Sequence, residues 1–256
     1  MSLIKTEKEI VILREGGRRL ARILKALSLR VMPGVLASEL NTLAEQMIIE
    51  GGDRASFLHY TPAGATRPYP GSICVSINDE VVHGIPNEGK KVIHEGDIVG
   101  IDLGLIHEGL FTDAAITVGV GDISPESRKL IEVTRETLLL GIQAARVGGT
   151  IGDIGYAIKK RASRDGFGIV NELCGHGVGH AVHEEPQVPN SGVKNRGMRL
   201  VSGMVIAIEP MLTLGTDKII LDSDGYTYRT ADGSRSAHSE HTIAITNDDP
   251  LILTLE

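Results

Sequence analysis

An α+β fold is the class this 256-residue sequence predicts, and three features carry the prediction. Apolar helical patterns come in pairs, strand patterns come as hairpins rather than alternating with helices, and the first half of the chain is echoed in the second. Composition agrees with a globular chain: 41% hydrophobic and 23% charged residues support a core and exclude a disordered tail, a collagen-like repeat or a disulfide miniprotein. With 26 Lys+Arg against 33 Asp+Glu, the net charge of -7 argues against nucleic acid or an anionic membrane as partner. No Trp and only 3% aromatics leave little surface on which bases could stack. No apolar run approaches the roughly 20 residues of a membrane span. Cys74 and Cys174, far apart in a chain without a signal-peptide pattern, read as reduced thiols in a cytoplasmic setting. No linker divides the chain, so residues 1–256 are expected to form one domain.

Each element has its own justification. Thr6-Glu7-Lys8-Glu9 is a capping-box pattern, after which Ile10, Leu13, Gly17, Leu20, Leu24 and Leu27 recur on one helical face until Met32-Pro33-Gly34. A second helix is expected from Ser38, with Leu40, Leu43, Ala44, Met47 and Ile48 periodic and Gly51-Gly52 ending it. Pro and Gly between Thr61 and Gly71 predict a loop, and Ile73 to Ile77 a strand. From Gly96 to Val120, two apolar runs flank His107-Glu108-Gly109 as in a hairpin. Ser124-Pro125-Glu126 opens a third helix running to about Arg146, and Thr150 with Asp153 caps a fourth that ends at Gly166. Strand and loop fill the remainder.

The internal echo carries the chemistry. Val82-His83-Gly84-Ile85-Pro86 returns as Val182-His183-Glu184-Glu185-Pro186. The apolar run ending in Asp102 returns as the run ending in Glu209, and Thr112-Asp113-Ala114 returns as Ser239-Glu240-His241. The order is His, acid, acid in both halves, which predicts two related halves packed about a pseudo-twofold axis with the acids at the middle. Alternate strand residues share a face, so small Gly100 beside Asp102 and Ala207 beside Glu209 leave room between the acids.

Four converging carboxylates repel one another and destabilise a fold unless cations compensate. No basic residue lies within four positions of Asp102, Asp113 or Glu209, and Arg235 is the nearest to Glu240. Two divalent ions are the other solution. His176, within Gly175-His176-Gly177-Val178-Gly179, adds an imidazole, and a set of carboxylates with imidazole suits Mn, Fe, Co or Zn rather than a thiolate-bound structural zinc. Two such ions generate hydroxide near neutral pH and stabilise an oxyanion, so the pattern points to metal-assisted hydrolysis. The same glycine-rich run lacks the phosphate-loop and dinucleotide patterns. His83 and His183 remain for substrate. His59, His94, His107 and His238 read as structural, while His180 and His241 stay open.

Together, Ser76-Ile77-Asn78-Asp79-Glu80-Val81-Val82-His83-Gly84-Ile85-Pro86, the Asp102 and Asp113 pair, Gly175-His176-Gly177-Val178-Gly179, Ile208-Glu209-Pro210-Met211 and Ser239-Glu240-His241-Thr242 resemble type I methionine aminopeptidases over nearly the whole chain. The resemblance implies the pita-bread fold, with two pseudo-symmetric halves around a central dinuclear metal site. It implies Asp102, Asp113, His176, Glu209 and Glu240 as metal ligands, Asp113 and Glu240 bridging, with the ions drawn from Co, Mn, Fe or Zn. A metal-bridging hydroxide would attack the carbonyl after the N-terminal methionine, Glu209 would move its proton, His183 would polarise the carbonyl, and His83 would lie near the leaving nitrogen. Tyr69, Cys74 and Tyr226 would line the methionine pocket. Nascent polypeptides with a free N-terminal Met and a small second residue are the implied substrates, met by a monomeric cytoplasmic enzyme in transient contact with the ribosome.

One departure is Val182, where many relatives carry an aromatic; a smaller wall there would loosen the pocket. The sequence starts almost directly at the catalytic region, without the zinc-binding N-terminal extension of some eukaryotic relatives, so a compact, prokaryotic-style form is the expectation. Two other readings compete. An Xaa-Pro aminopeptidase or prolidase shares the five ligands but usually carries a large additional N-terminal domain. A catalytically dead binding module of the same fold would have lost ligands, and here none is lost.

Overall fold

The computed structural model describes residues 3–256. In chain order the elements are α1 (Glu7–Ser28), α2 (Ala37–Glu50), β1 (Arg54–Ala55), β2 (Cys74–Ile77), β3 (Glu80–Val82), β4 (Ile98–His107), β5 (Leu110–Gly119), α3 (Pro125–Ala144) and α4 (Ile151–Ala162). They continue with β6 (Gly168–Ile169), β7 (Cys174–Gly177), β8 (Glu184–Pro189), β9 (Val205–Ile208), β10 (Met211–Thr213), β11 (Ile219–Leu221), β12 (Tyr228–Thr230), β13 (Ser236–His238), β14 (His241–Ala244) and β15 (Leu251–Ile252). Helices therefore come in pairs and strands in antiparallel ladders, as the pattern predicts. No helix among the described residues is long and apolar enough to cross a membrane.

Local chemistry sets the helix ends. The Thr6 hydroxyl accepts from the Glu9 N–H, and the Glu9 carboxylate accepts from the Thr6 N–H at 2.7 Å, closing the expected capping box. Thr150 and Asp153 form a second box at the start of α4. Ser124 caps α3 through the Ser127 N–H, with proline in the first turn. The start of α2 differs from expectation. Leu36 occupies the cap position without a side-chain bond, and Ser38 lies inside the first turn. The fourth helix likewise stops at Ala162, short of the expected Gly166.

Two larger sheets form the halves. In one, β5 pairs with β4 along its full length while β1 and β2 pair with separate stretches of β4; Glu108 and Gly109, both at positive φ, make the hairpin turn. The other runs β15-β14-β9-β7-β8. Smaller sheets β13-β10-β6 and β11-β12-β3 complete the set. On the first half, α1 and α2 bury Leu20, Leu27, Leu40 and Ile48 against Val99 and Ile101. On the second, α3 and α4 bury Leu138, Ile142, Ile154 and Ile158 against Ile206, Ile208 and Ile243. Each fully buried side chain of this kind contributes roughly 1.5–3 kcal/mol. Gly17 lets α1 approach, since a Cβ there would stand 2.3 Å from the Leu253 carbonyl oxygen.

The halves meet where β5 and β14 exchange hydrogen bonds. Ala115 and Glu240 are joined through their backbones, the Glu240 N–H donating to the Ala115 carbonyl at 2.9 Å. On the symmetry-related side, the Thr242 hydroxyl accepts from the Asp113 N–H at 2.9 Å and donates to the Asp113 carbonyl at 2.7 Å. The backbones of Asp113 and Glu240 are thus clamped by each other's half, and the repeat seen in the sequence is realised as facing strands.

Candidate metal centre

The strand registers deliver the acids. Asp102 on β4 pairs with Cys74 of β2 on one side and with Ala115 of β5 on the other, which leaves Asp113 diagonal to it. In the second half the last pair is Ile208 with His241, so Glu209 and Glu240 face each other just past the ladder's end. The two ladders therefore differ in register, diagonal in one half and opposite in the other, although the sequence echo is regular. Asp113 and Glu240 are buried at 3% and 2% exposure. Asp102 and Glu209 are half-buried.

His176 sits at a register irregularity in β7, between Gly175 and Gly177. A Cβ on Gly175 would lie 2.3 Å from the Ala207 oxygen and one on Gly177 2.1 Å from the Glu185 oxygen, so the flanking glycines are required for the neighbouring backbones to close in. The His176 Nδ1 lies 2.9 Å from the Gly177 carbonyl, to which it donates, leaving Nε2 as the free lone pair. That Nε2 stands 3.5 Å from the Glu209 carboxylate. One ligand atom each from Asp113, His176 and Glu240 lie within 4.8 Å of one another.

No Lys or Arg ion pair reaches the four acids among the described residues. Arg235 turns away to the Ser127 hydroxyl. Burial, then like charge, drives the carboxyls upward: Asp113 and Glu240 stand well above their ordinary values, while in Asp102 burial outweighs the pull of His238 and takes it up to about 7. Glu209 goes the other way. Burial acts to raise it, but His238, His176 and His83 together outweigh burial and hold it low. Asp102 Oδ1, Asp113 Oδ1 and Glu240 Oε1 are buried without a hydrogen-bond partner among the described residues. Orphaned carboxylate oxygens next to an imidazole lone pair fit a divalent cation, which would satisfy both the charge and the lone pairs.

This has a pH consequence. Metal can bind only the ionised carboxylates, so binding must expel protons that the raised groups hold, and affinity is expected to fall as pH drops below about 7. Metal-free protein has the opposite trend in stability, losing it as pH rises through the same interval, because the folded state keeps protons that the unfolded chain has released. Calorimetric titration of Mn²⁺ in two buffers of different ionisation enthalpy checks this: proton release near neutral pH is expected, and none would contradict it.

Beside the acids lies a cavity of about 110 Å³. Tyr69, Cys74 and Tyr226 all line it, and so do His83 and His183. Tyr69 and Tyr226 pack edge to face at 5.1 Å. The Tyr69 hydroxyl donates to the Ile73 and Gly84 carbonyls, which aims its ring rather than its oxygen at the cavity. Val182 packs in the same apolar cluster. His83 is held at φ 59°, a left-handed conformation uncommon for a side chain of its size, with its ring against Tyr228. Burial lowers its pKa to about 4. His183 stands at the exposed mouth of the site; desolvation by the wall behind it, then the His176 ring 4.5 Å away, pulls it down from its ordinary value.

Three residues of the site escaped the sequence reading. Phe57 and Tyr60 line the cavity, and the Tyr60 hydroxyl lies 2.9 Å from His183 Nδ1. Both precede the Pro- and Gly-rich loop in a stretch without motif or periodicity. His238, grouped by sequence with the structural histidines, instead faces Glu209 at 3.5 Å. The other three of that group stay clear of the acids: His107 Nδ1 contacts Asp53 at 2.7 Å, His94 is exposed, and His59 lies in the loop before β2. His180 pairs with Glu9 at 2.6 Å, and His241 Nδ1 with the Thr254 hydroxyl at 2.8 Å.

Clustered carboxylates, an oriented imidazole and an adjoining apolar pocket define the site of a divalent-metal hydrolase. The chain belongs to metallopeptidase family M24, whose sequence profile matches residues 11–247. It is similar to the methionine aminopeptidase of Aquifex aeolicus, 45% identical over 251 residues and covering 97% of each chain. Among solved structures it is similar to the methionine aminopeptidase of Thermotoga maritima, with TM-score 0.94, 39% identity and 99% of each chain covered. A prolidase from Pyrococcus furiosus shares the fold at TM-score 0.77 and 23% identity, this chain spanning 66% of it. The architecture is therefore the pita-bread fold expected from the sequence.

Proposed function

We propose that this protein is a methionine aminopeptidase that removes the N-terminal methionine from nascent polypeptides and peptides whose second residue is small. The observation that carries the reading is the convergence of Asp113, His176 and Glu240 within 4.8 Å beside an aromatic-lined pocket, supported by full-length similarity to methionine aminopeptidases. In this reading residues 1–256 form one catalytic domain, acting as a monomer in the cytoplasm in transient contact with the ribosome.

Asp102, Asp113, His176, Glu209 and Glu240 would hold two divalent ions among Co, Mn, Fe and Zn. When bound, such ions supply an acidified water and positive charge beside a developing oxyanion. The protein's own groups do the rest. Glu209 is the acid kept ionised, so it can take up a proton and later return it to the departing amine. With Tyr60 as donor to His183 Nδ1, 2.9 Å away, the imidazole proton would lie on Nε2, the donor that the scissile carbonyl oxygen needs as charge grows on it. His83, half-buried and kept neutral by desolvation, would lie near the leaving nitrogen. Tyr69, Tyr226, Phe57 and Tyr60 offer an unbranched thioether aromatic edges and faces, favourable surroundings for sulfur, with the Cys74 thiol beside them.

Substrate choice tests this. The peptide Met-Ala-Ser is expected to release methionine, its N-acetylated form to release none, and a Met-to-Ala change at the first position to reduce release strongly. Cleavage of Xaa-Pro peptides in preference to Met-Ala-Ser would favour the prolidase-like reading instead.

A further inference from the structure

β13 is pinned on both sides. His238 pairs with Met211 of β10, its N–H donates to the Thr117 hydroxyl at 3.0 Å, and that hydroxyl donates to the His238 carbonyl at 2.7 Å. The side chain so fixed is 4% exposed, and its Nε2 is buried without a hydrogen-bond partner. Among the described residues it faces one carboxylate: Glu209 Oε2, at 3.5 Å. The other oxygen of the same carboxylate, Oε1, lies 3.5 Å from His176 Nε2. Glu209 is therefore spanned by two imidazoles, one for each oxygen. The main chain of Glu209 is held as well, its carbonyl accepting from the Asn190 side-chain amide at 3.1 Å.

His238 is not among the residues lining the cavity, so it is placed to act through Glu209 rather than on substrate. A carboxylate accepts only, so His238 Nε2 must carry the proton for this contact to become a hydrogen bond, whereas His176, whose Nδ1 proton is committed to the Gly177 carbonyl, turns a lone pair toward Oε1. At 3.5 Å the contact is longer than a formed hydrogen bond, and such contacts commonly tighten once a site is loaded.

We propose that His238 is a positioning residue for Glu209: its Nε2–H donates to Oε2 and fixes the rotation of the carboxylate, presenting Oε1 toward His176 and the floor formed by Asp113 and Glu240. The proposal deepens the reading of Glu209 as ligand and proton carrier, and rests on it. Partners that orient a ligand in this way change metal affinity or activity by about 10- to 100-fold when removed.

The test uses full-length protein stripped of metal by chelation. Titration with Mn²⁺ and steady-state release of methionine from Met-Ala-Ser are measured for wild type, H238L and H238Q. H238L removes the donor; H238Q keeps an N–H of similar reach. H238L is expected to bind Mn²⁺ about 10- to 100-fold more weakly and to lose kcat with KM little changed, while its metal-free thermal midpoint stays near wild type. H238Q is expected to recover affinity and kcat to within a few-fold of wild type. Wild-type affinity and kcat in H238L would overturn the proposal, as would an H238Q as impaired as H238L. Should leucine prevent folding, H238A is the donor-free comparison with the same expectations. If wild type releases no methionine, the aminopeptidase reading fails separately, and the Mn²⁺ titrations still decide the role of His238.

Discussion

Replacing Asp113 or Glu240 by alanine is expected to abolish methionine release and to lower bound metal, with kcat/KM falling by about 10² or more. Both side chains are nearly fully buried, both carry an oxygen without a partner, and both lie within ligand distance of His176. A purely structural role makes a different prediction. Carboxylates held well above their ordinary pKa by burial and mutual repulsion destabilise a metal-free fold. Asp113→Asn and Glu240→Gln should therefore leave the metal-free protein as stable as wild type or more so, while removing the stabilisation that added metal gives. Thermal unfolding with and without Mn²⁺ reads both effects. Full activity in either alanine variant at normal metal content would contradict the two-metal assignment.

The second large effect is expected at His183. His183→Ala should retain metal but lose about 10²- to 10³-fold in kcat, the usual cost of removing one donor to a developing oxyanion. The geometry behind this is the Tyr60 hydroxyl 2.9 Å from Nδ1, which in the proposed donor role would put the imidazole proton on Nε2. Tyr60→Phe keeps the ring and loses only that selection, so it should cost less than His183→Ala. Single-turnover kinetics with metal content measured in parallel separate chemistry from binding. An unchanged kcat in His183→Ala would remove this residue from the mechanism.

Where local rules decide structure, the sequence was readable. The Thr6 and Thr150 capping boxes, the Ser124-Pro125 start and the Glu108-Gly109 turn depend on neighbours within four residues, and each formed as written. The echo of Asp102 and Asp113 by Glu209 and Glu240 predicted facing halves because repetition of a strand and its acid survives folding. Contacts made only by tertiary approach were less legible. The register that sets Glu209 opposite Glu240, yet Asp102 diagonal to Asp113, leaves no trace in residue spacing. His238 resembled any buried histidine until β13 and the end of β9 came together across the site. Tyr60 and Phe57 belong to an irregular stretch whose direction is set by the β1 and β2 pairings with β4, not by any periodicity of its own. The helix expected from Ser38 begins one residue earlier, at Ala37, with Leu36 in the cap position.

Release of free methionine from Met-Ala-Ser, by protein first chelated and then refilled separately with Mn²⁺, Co²⁺, Fe²⁺ and Zn²⁺, tests most directly whether the carboxylate centre is a peptidase. Negligible release after chelation, restored by at least one of these ions, is the predicted result, and the order of restoration ranks the candidate metals. Undiminished release from fully chelated protein, or none with any ion while the protein stays folded, would contradict it.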